Sequence, residues 1–360
     1  MRKSCIIQFL VLFLATSGIQ GSKEVKPKPG LYSLLGLLEI ANNVTRQCVA
    51  DDLRQGVCMS STTCESQGGK TSGSCSFGLE TCCVFEVTCG GEVNQNNSII
   101  VSPNYPNNFL NSRRCDIRIK RPSPDIVQVR LDFVEFVLQQ PTLTVCNRDQ
   151  FVVLGFHNVP IICGINTGQH MYVDFPGTDE IPLVFMTSVA EGRRLWNIRV
   201  TYIKNNSPLR APSGCLQYHT GVTGRSSSFN FDSPASDISR HLANQNYAVC
   251  VRQEAGYCSI RWTAQTFEMS RNVNEGKAKQ GPFCQGDRVL ILEAAPEGGT
   301  ASQDRFCGTR LNTQLDATEN VPLISSAVPF LLQMFTTGEE IAGTLNRGFS
   351  MTFNQLPCSS

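Results

Sequence analysis

The number and spacing of the cysteines constrain this chain more than any other feature of its sequence. It has 17 cysteines in 360 residues, and Cys5 lies in an N-terminal segment typical of a secretory signal. The remaining 16 fall into blocks of six, four and six that begin at Cys48, Cys89 and Cys215. An even count behind an export signal indicates a complete disulfide framework, because the secretory route is oxidising. We therefore expect three disulfide-stabilised modules without a free thiol.

The N-terminus itself predicts export. Arg2 and Lys3 precede an apolar run from Ile6 to Leu14, and small residues follow up to Gly21. This order is typical of a signal peptide that is cleaved after about residue 21. The apolar run is too short to cross a bilayer, which needs ~20 apolar residues, and no later segment is as apolar for as long. We expect a secreted chain without a membrane span; an uncleaved anchor is the alternative.

Charge and glycosylation motifs fit an extracellular protein. The 31 Lys and Arg residues nearly balance the 30 Asp and Glu residues, so the net charge is +1. This balance gives no electrostatic reason to expect nucleic acid or an anionic membrane as a partner. Three Asn-x-Ser/Thr motifs begin at Asn43, Asn96 and Asn205, and they predict N-glycosylation of a secreted chain.

The segments around the cysteine blocks differ in character. Within residues 22–47, leucines at helical spacing over Leu31–Ile40 predict a short amphipathic helix that docks on a neighbouring module. Residues 48–83 are rich in Ser and Gly and have few aliphatic runs, so disulfides must hold that block together. Residues 205–214 contain Pro and Gly and predict a linker at which the flanking modules are separable.

Apolar and polar residues alternate with a period of two in the second and third blocks. This alternation predicts strands with one face on a core and the other in water. Turn signals separate the strands, and no long helical pattern intervenes, so the predicted fold class is all-β with antiparallel sandwiches. The apolar positions are Val127, Val129, Leu131, Phe133, Ile198, Val200, Tyr202, Phe349, Met351 and Phe353.

The two blocks also share a motif. Cys146-x-x-Asp149 leads to Cys163-Gly164, and Cys284-x-x-Asp287 leads to Cys307-Gly308. In the second block this motif follows Cys89-Gly-Gly, Ser102-Pro-Asn-Tyr-Pro106, Cys115 and Phe133-x-x-Phe136-x-Leu138. On these motifs, residues 89–204 resemble a CUB domain. Residues 215–358 resemble a divergent CUB domain, which lacks the Ser-Pro-Asn-Tyr-Pro turn and has two additional cysteines.

The resemblance implies a jelly-roll-like sandwich for each of these two domains. It also implies the pairs Cys89–Cys115, Cys146–Cys163, Cys215–Cys250 and Cys284–Cys307, and it leaves Cys258 with Cys358. Residues 48–83 resemble an arthropod clip-type module through their six cysteines, which end in an adjacent pair. That resemblance suggests Cys48–Cys82, Cys58–Cys75 and Cys64–Cys83. The residues alone leave other pairings open.

Many CUB domains have a calcium site of three acidic residues, and the resemblance identifies its positions here. Asp149 and Asp287 match the middle acidic position, but Pro141, Val189, Lys279 and Gly338 occupy the other four. Calcium prefers six to eight oxygen ligands and owes its affinity to their charge. We therefore expect Asp149 and Asp287 to accept hydrogen bonds in turns, and we expect no metal and no cofactor. Glu339 and Glu340 are the nearest substitute ligands.

No catalytic motif is evident. None of the four histidines (His157, His170, His219 and His241) belongs to a metal-binding His-Glu-x-x-His motif, and each is expected at the surface or in a loop. No serine lies in a nucleophile elbow. We expect a non-enzymatic adaptor that binds extracellular proteins. The alternatives are a non-catalytic cofactor of a serine-protease cascade and a structural component of a matrix or cuticle.

Overall fold

A computed structural model confirms the all-β class. Apart from one short α-helix, the regular structure of the described residues consists almost entirely of strands. The predicted signal peptide, the predicted helix over Leu31–Ile40 and the motif at Asn43 lie outside those residues. The structure describes residues 47–51, 54–175, 177–188, 192–231, 241–269, 276–338 and 346–358.

The first module is a small four-stranded antiparallel sheet in the order β1-β2-β4-β3. Helix α1 begins after Ser60, whose hydroxyl accepts a hydrogen bond from the Thr63 N–H at 3.1 Å and so caps it. Cys64, Cys82 and Cys83 are fully buried, so half-cystines supply much of the core. The elements are β1 (Gln47–Val49), β2 (Gln55–Met59), α1 (Ser61–Ser66), β3 (Lys70–Cys75) and β4 (Glu80–Val84).

The first sandwich, residues 86–204, has one sheet in the order β10-β12-β8-β6 and another in the order β11-β9-β13-β7-β5. Between the sheets, Trp196 stacks on Phe185 with ring centroids 4.1 Å apart. The strands are β5 (Glu86–Val87), β6 (Glu92–Val93), β7 (Ser98–Val101), β8 (Arg113–Lys120), β9 (Ile126–Val137), β10 (Gln150–Val153), β11 (His170–Asp174), β12 (Glu180–Thr187) and β13 (Leu195–Lys204).

The second sandwich, residues 215–358, has two layers that share one long strand. β19 pairs with β20 and β22 near its start and with β21 near its end. The strands are β14 (Cys215–His219), β15 (Thr223–Ser227), β16 (Asn246–Val251), β17 (Tyr257–Glu268), β18 (Ala278–Gln280), β19 (Arg288–Pro296), β20 (Gln303–Gly308), β21 (Leu323–Ser325), β22 (Phe330–Phe335) and β23 (Gly348–Pro357).

Pairing in the sandwiches is not purely antiparallel. β5 pairs in parallel with β7, β6 with β8, and β14 with β16. In each case one partner is a short edge strand, so the antiparallel core of each sandwich is preserved. The predicted alternation is evident in β9, where Val129, Leu131 and Phe133 are buried while the intervening residues are less so.

Eight disulfides connect the 16 cysteines, and each module closes its own. Those of the first module are the pairs that the clip-type resemblance suggests, and those of the sandwiches are the pairs that the CUB resemblance implies. The bonds are Cys48–Cys82, Cys58–Cys75, Cys64–Cys83, Cys89–Cys115, Cys146–Cys163, Cys215–Cys250, Cys258–Cys358 and Cys284–Cys307.

The two sandwiches are in direct contact, and we call this contact the seam. Edge strand β11 of the first packs against edge strand β14 of the second. Residues 205–214 have no regular structure, as predicted for a linker, but they are not free. Ala211 is buried, and its N–H and C=O both bond to the Gln128 side-chain amide, at 2.9 and 3.2 Å. Polar groups thus fix the linker to β9, and whether the two sandwiches are separable there stays a prediction.

Candidate functional site

The Asp149 carboxylate lies at one end of the first sandwich and is completely buried. Backbone N–H groups of Gln139 and Ser188 donate to it, at 2.9 and 3.0 Å. The Arg194 guanidinium, also completely buried, donates from Nε to Oδ2 at 2.6 Å and from Nη2 to Oδ1 at 3.0 Å. This is a two-bonded ion pair, the geometry in which arginine binds a carboxylate most strongly.

Arg194 therefore lies where a cation would have to bind. Its Nη2 also donates to the Ser188 carbonyl oxygen at 3.1 Å. A guanidinium supplies a positive charge and five donors, but a metal ion needs several acceptor oxygens. With both oxygens of Asp149 committed to donors, the carboxylate neutralises an internal cation. The expectation that Asp149 accepts hydrogen bonds in a turn thus gains a specific partner that the sequence did not indicate.

Asp287 has a similar environment in the second sandwich. Its Oδ1 accepts from the Thr337 N–H at 2.6 Å and from the Thr337 hydroxyl at 3.0 Å. His241 Nε2 lies 3.5 Å from Oδ2, and both side chains are almost completely buried. Both aspartates thus hold a loop through its backbone N–H, and each has a buried basic side chain as neighbour.

The positions expected to lack acidic ligands have other roles. Pro141 is buried, and Lys279 forms a 2.7 Å ion pair with Asp316. A Cβ on Gly338 would lie 2.9 Å from the Asn244 side chain, so this position requires a glycine unless its neighbour moves. Val189, Glu339 and Glu340 lie outside the described residues.

The burial and position of the histidines differ in part from what the sequence led us to expect. His157 is exposed, as expected, and His241 lies in a loop but is buried there. His170 is only 8% exposed on strand β11, so the expectation of a surface or loop position is wrong for it. His219, at the end of β14, is partly buried. Both contact the neighbouring sandwich, a kind of burial that no local pattern indicates.

Two of the predicted glycosylation sites lie among the described residues. Asn96 is exposed, and its amide oxygen accepts from the Tyr202 N–H at 2.8 Å. Asn205 is also exposed, and its amide oxygen accepts from Arg210 at 2.5 Å. In both contacts the amide oxygen accepts the hydrogen bond. A glycan would be attached to the other atom of the amide group, the side-chain nitrogen.

Comparison with known families agrees with this architecture. The CUB domain profile matches residues 89–200, and the animal CUB domain profile matches residues 212–356. The chain is a CUB-domain protein. Its CUB domains are the two sandwiches, which we now call the first and second CUB domains. Modules of this family are typically extracellular and bind other proteins. Among the described residues no helix is long and apolar enough to cross a membrane.

The chain is only distantly similar in sequence to neuropilin-1. Neuropilin-1 of Mus musculus and of Rattus norvegicus are each 23% identical to the chain over 282 residues, which is 75% of the chain. The chain spans only 26% of their length.

Two of the solved structures that match this chain do so with low sequence identity and low TM-scores. The CUB1-EGF-CUB2 domains of rat MASP-1 are 15% identical, with a TM-score of 0.26, over 75% of this chain and 99% of that one. The full extracellular region of zebrafish Gpr126/Adgrg6 is 12% identical, with a TM-score of 0.29, over 74% and 36%.

Proposed function

We propose that this chain is a secreted, non-enzymatic protein that binds other extracellular proteins through its CUB domains and does so without calcium. The observation that carries the calcium part is the buried Asp149–Arg194 pair, which commits the acidic position to an internal cation. The binding role is supported by the two matches to CUB domains. Export is supported by the signal-like N-terminus and by the disulfide framework.

The first module extends this proposal. It is fixed on the first CUB domain by a small core in which Ala50, Val84, Ile99 and Val101 are buried together. Arg54 forms an ion pair with Glu86 across the same junction. We infer that this module, clip-like in its cysteine pattern, is presented together with the first CUB domain as one rigid surface.

Crosslinking of the native secreted protein in body fluid, followed by identification of the captured proteins, tests this proposal. It should be run with calcium and with a chelator. Capture of the same extracellular protein in both arms is expected. A partner lost in the chelator arm would contradict calcium independence. Recovery of the chain only in insoluble matrix would favour a structural role, and capture of a serine protease would favour a cofactor role.

A further inference from the structure

Two histidines meet at the seam between the CUB domains. His170 begins edge strand β11 of the first domain, and His219 ends edge strand β14 of the second. Their ring centroids are 5.1 Å apart and their planes are inclined at 73°. Both line a cavity of about 180 Å³ that is otherwise polar and includes Gln169, Gln217 and Arg225. Charging either ring would therefore act directly on the contact between the domains.

One of the two contacts that His170 Nε2 makes with Tyr218 requires an unprotonated nitrogen. The Tyr218 N–H, in the second domain, donates to His170 Nε2 at 3.1 Å. This nitrogen can accept only if it carries no proton, and a protonated imidazole has donors alone. The Tyr218 carbonyl oxygen, 3.0 Å from the same nitrogen, could accept from a charged ring. The Tyr218 N–H would then lose its acceptor.

Burial and neighbouring charge both oppose protonation in the closed seam. Burial lowers the pKa of His170 to about 3, and the nearby Arg130 and His219 contribute in the same direction. Burial lowers the pKa of His219 to about 4, again assisted by Arg130. Asp132 and a hydrogen bond to the Tyr218 backbone raise the pKa of His170, but burial outweighs them, and Asp132 is already paired with Arg130 at 2.7 Å and with Arg199 at 3.2 Å.

Among the described residues, four arginines and two carboxylates lie around the two rings. In the second domain, Arg225 lines the cavity, and Glu254 lies beyond Tyr218 in an ion pair with Arg252 at 2.8 Å. The charged and titratable groups around the two rings, among the described residues, are Arg130, Asp132, Tyr172, Arg199, Tyr218, Arg225, Arg252 and Glu254.

The rest of the seam is held by groups that do not titrate. Gln169 Nε2 donates to the Ser228 carbonyl oxygen at 3.0 Å, and Gln217 Nε2 donates to Gln169 Oε1 at 3.2 Å. The Asn230 N–H donates to Asn166 Oδ1 at 2.8 Å. These amide contacts do not themselves change with pH, so the histidines are the groups through which the seam can respond to acid.

We propose that acid opens the contact between the two CUB domains, because His170 and His219 take up protons far more readily once the seam has separated. The chain is then one rigid pair of domains at neutral pH and two jointed domains in an acidic compartment. This regulation goes beyond the proposed binding function and does not depend on which protein is bound.

The direction of the pH effect follows from the difference in proton uptake between the open and the closed seam. With the reference histidine pKa of about 6.5 for both rings, the open form binds more protons than the closed form as the pH falls. The stabilisation of the closed seam is fully present above that pH and is lost as the pH falls towards 4 and 3. Between pH 7 and pH 5 the equilibrium constant for closing should fall by about 500-fold, roughly 20- to 25-fold for each histidine.

Hydrogen exchange of the full chain measures this directly. Corrected for intrinsic exchange, the protection factor of the Tyr218 amide should fall between pH 7 and pH 5 in proportion to the closing constant. An amide in the middle of β13, such as Val200, should keep its protection. Small-angle scattering over the same range should show a larger radius of gyration. Unchanged protection of Tyr218 and an unchanged radius down to pH 4.5 would overturn the proposal.

Substitutions then test whether His170 and His219 cause the response of the seam to acid. Glutamine can offer an oxygen acceptor without titrating, so the double variant His170→Gln, His219→Gln should keep the seam closed at pH 5. The exposed His157 provides the matched control, and His157→Gln should respond to acid as the unaltered chain does. A full response in the double variant would contradict the role of these histidines. If that variant misfolds, the response of the unaltered chain still decides whether acid opens the seam.

Discussion

Replacement of Arg194 by methionine should destabilise the first CUB domain by about 3–5 kcal/mol, because it leaves the Asp149 carboxylate buried without a counter-charge. Both side chains are 0% exposed, so water cannot solvate the remaining charge in the folded state. Methionine keeps an unbranched apolar side chain in the space of the arginine stem, so the loss of packing is small. The expected loss is therefore mainly electrostatic.

Urea unfolding with intact disulfides measures this loss. With a denaturant slope of about 2–3 kcal/mol/M, the midpoint should fall by roughly 1–2 M. Each CUB domain contains one of the two tryptophans, Trp196 in the first and Trp262 in the second. Fluorescence in a Trp262→Phe background therefore reports on the first domain, where Trp196 is completely buried against Phe185.

Arg114→Met is the matched control. Arg114 also pairs with an aspartate, Asp116 at 2.8 Å, but their side chains are 57% and 48% exposed. An exposed pair of this kind contributes little to stability, because water and salt screen both charges. Adding Asp149→Asn to Arg194→Met should recover more than half of the loss, because no buried charge remains. Equal losses for the two arginine variants, or restoration of Arg194→Met by calcium, would refute the reasoning.

Three further predictions concern the disulfides, calcium binding and the seam. Thiol labelling of the unfolded, unreduced secreted protein should find no free cysteine, and one stoichiometric label would contradict the framework of eight disulfides. Millimolar calcium should produce no saturable heat in calorimetry and no chelator-reversible rise in melting temperature. Gly164→Ala should loosen the seam and increase the radius of gyration at neutral pH, because its Cβ would lie 2.0 Å from Asn230 Oδ1. Gly168→Ala, at a similar positive φ with nothing within 4 Å, should leave the radius unchanged.

The strands were predictable from the sequence because each has one face on a core. In β23, for example, Phe349, Met351 and Phe353 are buried while Thr352 and Asn354 are exposed. The same rule fails at the seam. The polar residues of β9 and β11 were expected to face water, yet Gln128 faces the linker and His170 faces the second domain. A period of two identifies the two faces of a strand, but it does not reveal that a second module covers the polar one.

The candidate site was only half predictable for a related reason. The motif located Asp149 and Asp287, and the missing carboxylates argued against calcium. The basic partners were not predictable, because Arg194 lies 45 residues from Asp149 along the chain and belongs to no recognised spacing. His241 likewise reaches Asp287 from a separate loop. Only the folded chain shows that an internal basic group accompanies each aspartate.

These two departures from expectation are connected. Asp287 binds the Thr337 N–H at 2.6 Å, the Thr337 carbonyl oxygen accepts from the Asn244 N–H at 3.0 Å, and the adjacent Ala243 N–H donates to the Thr144 carbonyl oxygen of the first domain at 2.9 Å. Thr144 lies in the loop that leads to Asp149. The loops around both aspartates thus touch across the seam. Because protein groups contact both aspartates, we expect the loops to keep this contact between the domains at neutral pH whatever the calcium concentration. Under the proposed function, a partner protein would bind on the faces that this contact leaves open.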